Sequence, residues 1–333
     1  MFDMTVPRFA KTLRKRAEHI RTLESVITEN RSHQGDRYDL WLRECWSILI
    51  DGSREEFFVD FSQHERRQVL KILLKFYSTD QLLEIILSQN GEGEQYLFSS
   101  PLHKDPALLV QIIDKISEPN DIFRILKLQN EQVKEQTLLH NSHWNWDEGR
   151  HLDAVLDSLK SKERCYEVLS AHDLSGKTTL FYLSSDSVCT ALSKVDKEKV
   201  FSLVMKQDCK GQTMLHDYLN KAWLNVDPIP KLFNILDSDD QWFEFISVAD
   251  KRGITALAYA SCQHLSDVLQ LVKNPCQRVK ISDVLIQNTG QIDAINLDSL
   301  SFTQIFTRIA SAALFGSDAE ENTRFVVEYR KNA

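Results

Sequence analysis

Five times in this chain two apolar residues, a spacer and two more apolar residues are followed at one fixed distance by Asn or Asp. The copies are Leu82-Leu83-Glu84-Ile85-Ile86 with Asn90, Ile122-Phe123-Arg124-Ile125-Leu126 with Asn130, Cys165-Tyr166-Glu167-Val168-Leu169 with Asp173, Val200-Phe201-Ser202-Leu203-Val204 with Asp208, and Trp242-Phe243-Glu244-Phe245-Ile246 with Asp250. The Asn or Asp always lies eight residues after the first apolar position, and the copies start 40, 43, 35 and 42 residues apart. Repetition on that scale constrains the fold more than any local motif, because one unit has too little apolar surface to fold alone and must bury it against its neighbours. The expected architecture is all-α: an α-solenoid of about five degenerate helical repeats with capping helices at both ends.

The apolar pairs occupy positions i, i+1, i+3 and i+4, which a helix gathers on one broad face suited to burial between layers. Partner helices carrying Leu109-Val110-Gln111-Ile112-Ile113, Val155-Leu156-Asp157-Ser158-Leu159 and Leu232-Phe233-Asn234-Ile235-Leu236 precede three of the copies. An earlier helix opens on the capping box Ser62-x-x-Glu65 and contains Val69-Leu70-Lys71-Ile72-Leu73. Helices are also expected over 8–30, 38–50 and 302–315, giving an N-terminal cap region at 1–61, a repeat body at 62–290 and a C-terminal cap and tail at 291–333. With 10 Gly and 7 Pro in 333 residues, a turn-rich β-sandwich is disfavoured.

Charge narrows the partners. The net charge is −8, yet residues 1–35 carry seven Lys/Arg against four acids, so that segment is +3 and the rest is −11. A nucleic-acid-binding body is expected to be basic, so no nucleic-acid partner is expected for the main domain, and a basic or neutral protein fits the overall charge better. The 8–30 helix has two readings: a cap over the first repeat, or a peripheral membrane contact through Arg14, Lys15 and Arg16. No run approaches 18 apolar residues and no apolar stretch follows the N-terminal charges, so neither a transmembrane helix nor a secretory signal is expected. The scattered Cys45, Cys165, Cys189, Cys209, Cys262 and Cys276 form no C-x-x-C pair and read as reduced thiols of a cytosol-like compartment.

The joints between helices repeat as well. Asp173-x-x-Gly176-x-Thr178-x-Leu180, Asp208-x-x-Gly211-x-Thr213-x-Leu215 and Asp250-x-x-Gly253-x-Thr255-x-Leu257 share eight positions, and Asn90-x-x-Gly93-x-Gln95-x-Leu97 is a weaker copy. Asp starts a tight turn by accepting backbone N–H groups, Gly supplies positive φ, and Thr is expected to cap the next helix. After Asn130 the pattern slips: Thr137-Leu138-Leu139-His140 comes two residues late and the Gly is missing.

These residues resemble ankyrin repeats, in which an Asp-Gly turn leads into Thr-Pro-Leu-His and an antiparallel helix pair. Thr213-Met214-Leu215-His216 and Thr137-Leu138-Leu139-His140 match apart from the Pro, while Thr178-Thr179-Leu180-Phe181 and Thr255-Ala256-Leu257-Ala258 match less fully. Most units here are longer than the family's length of about 33 residues, which calls for lengthened helices or inserted turns. The resemblance covers about residues 80–290 and implies a non-enzymatic binding module, an adaptor, inhibitor or regulator that holds a protein partner through its repeat loops and inner helical surface. It also implies local hydrogen bonds for His140 and His216 that stitch neighbouring loops. Such degenerate repeats, and the acidic tail around Asp318, Glu320 and Glu321, look like those of effector proteins that intracellular bacteria inject into host cells, which implies export by a non-classical route.

Residues singled out for partner contact are Trp144 and Trp146, since Trp is enriched at binding hot spots, with His143 and His151 beside them and Lys177, Lys210 and Arg252 on the corners. The alternative for Trp144 and Trp146 is packing under their own loop. His140, His143 and His151 could in principle bind zinc, but His140 already has a place in the repeat, and neither a metal nor another cofactor is expected. Cys165 near His172 sits at a repeat core position and reads as a buried thiol rather than a nucleophile. Ser175-Gly176-Lys177-Thr178 ends like a phosphate-binding loop, but Ala171 stands where the first Gly is needed. No catalytic residue is assigned; the rival reading is an enzyme without readable motifs.

Overall fold

The computed structural model describes residues 68, 70–88, 96–98, 105–130, 135–145, 149–220, 232–236 and 238–259. The helices expected over 8–30, 38–50 and 302–315, the Ser62 capping box and the Asn90 corner lie outside them. The described chain is all-α: its regular elements are helical, no strand occurs among the described residues, and extended pairing is confined to isolated bridges at the corners. No helix among the described residues is long and apolar enough to cross a membrane.

The chain divides into two compact units, Met1–Val168 and Leu169–Ala333. The first contains α1 (Thr79–Leu87), α2 (Pro106–Ile116), α3 (Pro119–Lys127), α4 (Arg150–Ser158) and α5 (Lys162–Leu169), which reaches the boundary. Short 3-10 turns, Tyr96–Phe98 and Ser142–Asn145, lie between α1 and α2 and between α3 and α4. The second unit contains α6 (Ser185–Ser193), α7 (Lys197–Val204), α8 (Met214–Asn220) and α9 (Asp239–Ser247), with 3-10 turns at Thr179–Tyr182 and Ala256–Tyr259.

Local chemistry starts these helices where polar residues precede apolar runs. Ser78 and Gln81 close a capping box on α1, Asp105 accepts the Ala107 N–H before Pro106 on α2, and Ser184 and Ser238 accept N–H bonds at the heads of α6 and α9. Thr178 departs from expectation: it precedes Thr179–Tyr182 but makes no side-chain capping bond.

The five-fold apolar motif is resolved with one refinement. It falls on α1, α3, α5, α7 and α9, and in every copy the first, fourth and fifth positions are buried while the second is half-buried. A helix turns about 100° per residue, so i, i+3 and i+4 share one face and i+1 falls on its flank. Leu83, Phe123, Tyr166, Phe201 and Phe243 occupy that flank. Phe123 is covered by Lys127 Nζ and the Arg164 guanidinium, 5.1 and 5.5 Å from its ring centre. Cys165 is buried, and its thiol donates to Leu156 O across the α4–α5 hairpin at 3.4 Å.

Between corners 130 and 173, and again between 173 and 208, the chain makes a 3-10 turn and then a helix pair. Equivalent elements pack on one another within each unit: α2 against α4 in the first, and α8 against both Thr179–Tyr182 and Ala256–Tyr259 in the second.

Candidate interaction surface

The corners at 173, 208 and 250 are built alike. Each Asp N–H donates to the carbonyl four residues on (Lys177 O 3.0 Å, Gln212 O 2.8 Å, Ile254 O 2.8 Å), and each Gly N–H returns to the Asp carbonyl at 2.8–2.9 Å. Each Asp Oδ1 accepts two backbone N–H bonds: Ser175 and Lys177 at 2.9 Å, Lys210 at 2.8 Å and Gln212 at 2.9 Å, Arg252 at 2.9 Å and Ile254 at 3.0 Å. Gly176, Gly211 and Gly253 hold φ of 74°, 77° and 79°, the left-handed region where a Cβ is penalised. The eight shared sequence positions are thus one turn drawn three times.

Successive corners are stacked. Cys209 N–H donates to Ser175 O at 2.8 Å, and Lys251 N–H donates to Lys210 O at 2.9 Å. The approach is close enough that a Cβ added at Gly176 would lie 2.9 Å from Cys209 N, and one at Gly211 2.9 Å from Lys251 N. Gly176 and Gly211 are therefore each required twice, by their own φ and by the backbone of the next corner. This places the tip residues, one and two after each Asp, in a row: Leu174 and Ser175, Cys209 and Lys210, Lys251 and Arg252. Leu174 is 63% exposed, and Cys209, Lys210, Lys251 and Arg252 are also exposed.

Side chains behind the tips lock the layers. Buried His216 receives the Thr213 N–H on Nδ1 at 3.1 Å, so Nδ1 is an acceptor and Nε2 carries the proton, which it donates to Ile254 O of the next corner at 3.2 Å. Burial holds the His216 imidazole below its ordinary pKa, against the opposing pull of the Ile254 carbonyl and the Asp250 and Asp208 carboxylates. Tyr218 O–H donates back to Leu180 O and Leu183 O, and burial pushes its phenol well up. Lys177 Nζ meets Asp217 Oδ1 at 3.0 Å, and Gln212 Nε2 meets Asp250 Oδ2 at 3.4 Å. Burial pushes the Asp250 carboxyl up, but the Ile254 and Arg252 N–H bonds and the Arg252 guanidinium outweigh it and leave the group below the usual carboxylate range.

The residues singled out from the sequence fall in different places. Lys210 and Arg252 stand on adjacent tips, whereas Lys177, four after its Asp, lies where the chain has turned back and is held by Asp217 and the Phe181 ring, 5.4 Å from Nζ. Trp144 is 2% exposed, and its indole N–H donates to Leu138 O at 2.9 Å, so it packs under its own loop and offers no face to a partner. His143 and His151 are half-buried on the 142–145 turn and at the head of α4, and Trp146 lies outside the described residues. His140 Nδ1 accepts the Thr137 N–H at 3.1 Å and meets Thr137 Oγ1 at 2.8 Å, reproducing the Thr213–His216 arrangement. The two-residue slip before Thr137 is taken up in the turn: Asn130 N–H reaches Gln136 O, six residues on instead of four. Leu174 and Lys251 were not singled out, although their offset from the repeating Asp was the available signal.

Comparison of the chain with protein-family models, with curated proteins and with solved structures finds no match.

Proposed function

We propose that this chain is a divergent ankyrin-like α-solenoid that binds another protein through its corner tips, as an adaptor, inhibitor or regulator of that partner. The observation that carries this reading is the backbone-to-backbone stacking of the 173, 208 and 250 corners. Such stacking holds a row of exposed side chains in fixed register, so a partner that engages them immobilises little that is not already ordered. Loops on a rigid repeat scaffold are where such proteins carry recognition. Among the described residues of the second unit, buried Asp173, Asp208, Asp250, Thr213 and His216 all take part in the hydrogen bonds that close or join the corners, which gives these polar groups a structural role.

The test is site-specific photo-crosslinking from the tips. A crosslinker at Leu174 or Lys210, in the full chain and in lysate of its native cells, is expected to trap one protein at near-stoichiometric yield, while a crosslinker at Glu244 on α9 traps none. Equal labelling from both places, or no adduct from the tips together with a measurable turnover activity, would overturn the reading.

A further inference from the structure

We infer that the corner tips of the second unit bind an acidic segment of the partner, because exposed cations are stacked there while the carboxylates of the same corners face inward; this rests on the reading of the tips as a binding surface and adds the chemistry of what they hold. Lys210 and Lys251 stand on adjacent corners joined by one backbone hydrogen bond, and Arg252 follows directly. Asp208 and Asp250 are buried, with each Oδ1 filled by two backbone N–H groups, so neither is presented at the tip. Lys210 and Lys251 make no ion pair among the described residues. A ligand carboxylate therefore meets ammonium groups that no acid among the described residues has already satisfied.

Arg252 adds geometry to charge. Its Nε and one Nη donate to Asp250 Oδ2 at 3.1 and 2.9 Å, and that Nη also meets the Tyr259 hydroxyl. The guanidinium is fixed in plane while its other Nη has no partner among the described residues. An Arg held in this way loses little rotamer freedom when a carboxylate docks on its remaining edge. The row ends differently at the first corner, where exposed Leu174 and half-buried Ser175 take the positions of Lys251 and Arg252. The ligand that fits is a short acidic peptide with an apolar residue at one end.

The overall charge of −8 does not oppose this contact. Screening at physiological ionic strength limits exposed charges to a range of about 8 Å, so a ligand confined to the tips feels the tips. The same argument disfavours nucleic acid or an anionic bilayer, which extend beyond the row onto an acidic body.

Fluorescence anisotropy of the full chain decides it. The probe is a labelled Glu/Asp-rich peptide carrying one terminal Leu; the other arms are a Lys-rich peptide of equal length, a single-stranded DNA oligonucleotide and phosphatidylserine-containing vesicles. Saturable binding of the acidic peptide is expected, weakened about tenfold between low and physiological salt. The Lys210→Glu/Lys251→Glu variant should lose about tenfold in affinity, the effect of turning two exposed contacts repulsive, while Lys71→Glu keeps wild-type binding. Arg252→Gln, checked for fold by circular dichroism, should lose affinity without inverting the charge. No binding of the acidic peptide, binding unchanged in Lys210→Glu/Lys251→Glu, or stronger binding to DNA or vesicles would overturn the inference. If the acidic peptide fails while the tip crosslinks still trap a protein, the chemistry proposed here falls and the surface stands; if both fail, both fall.

Discussion

Thr178 and Thr213 occupy the same repeat position and meet different fates. Thr213 Oγ1 lies 3.0 Å from His216 Nδ1; three residues after Thr178 stands Phe181, and Thr178 Oγ1 is buried with no hydrogen-bond partner among the described residues. A buried hydroxyl that bonds contributes, and one that does not costs its desolvation. Thr213→Val is therefore expected to destabilise by about 1–2 kcal/mol, and Thr178→Val to be neutral or stabilising. Denaturant midpoints check both, and equal losses would contradict the assignment. The neighbouring imidazole makes a pH prediction. Because folding holds His216 below its ordinary 6.5, the unfolded chain takes up the proton first. The His216 contribution is complete above about pH 6.5 and is lost as pH falls from there toward the lower folded value. Asp250, also depressed, contributes above its ordinary 3.8 and loses that contribution in stronger acid. Between pH 7.5 and pH 5 the stability of His216→Gln should fall less steeply than that of the parent; parallel slopes would remove His216 from the account.

At the scale of the element, the corner rests on its glycine. In Gly211→Ala the new Cβ must tolerate φ of 77° and also approach Lys251 N to 2.9 Å. The first penalty alone is about 1–2 kcal/mol, and relieving the second displaces the Lys251 N–H from Lys210 O. The expected result is a loss above that range, with faster amide exchange at Lys251; a loss under about 1 kcal/mol, with that amide still protected, would show that the corners are not tightly stacked. These corners were legible in the sequence because Asp, Gly and Thr each do a separate job at fixed offsets. The motif helices were legible because three of four apolar positions share a face. The 3-10 turns were not legible: they carry no apolar period of their own, and Thr178, which reads as a cap, makes no capping bond. For Trp144 the sequence allows surface and interior alike, because an indole serves both, and its burial and its bond to Leu138 O decide. The tip row could be read only in part, since Lys177 shares charge with Lys210 but not the offset that puts a side chain on the tip.

For the molecule, the open question is how far one layer depends on the next. The second unit contains links that cross only one boundary: Cys209 to Ser175, Lys251 to Lys210, His216 to Ile254, and Tyr218 to Leu183. None skips a layer. If the chain is a solenoid of the kind proposed, its stability is close to a sum of unit terms and nearest-neighbour terms, and damage fades with distance. Leu203 on α7 is 1% exposed, and Leu203→Ala should cost about 2–5 kcal/mol. Hydrogen exchange followed along the chain is expected to show the largest loss of protection at the 208 corner beside α7, a smaller loss at 173 and 250, and little change in α2 and α4. A single cooperative globule would instead lose protection by one common increment in all its slowest-exchanging amides. Acidic peptide at saturating concentration should reverse the loss at 208 and 250 more than anywhere else, because binding energy delivered to two tips enters a one-dimensional stack at those layers. Uniform protection on adding the peptide would mean that the stack is not one-dimensional, even if the tips are where the peptide sits.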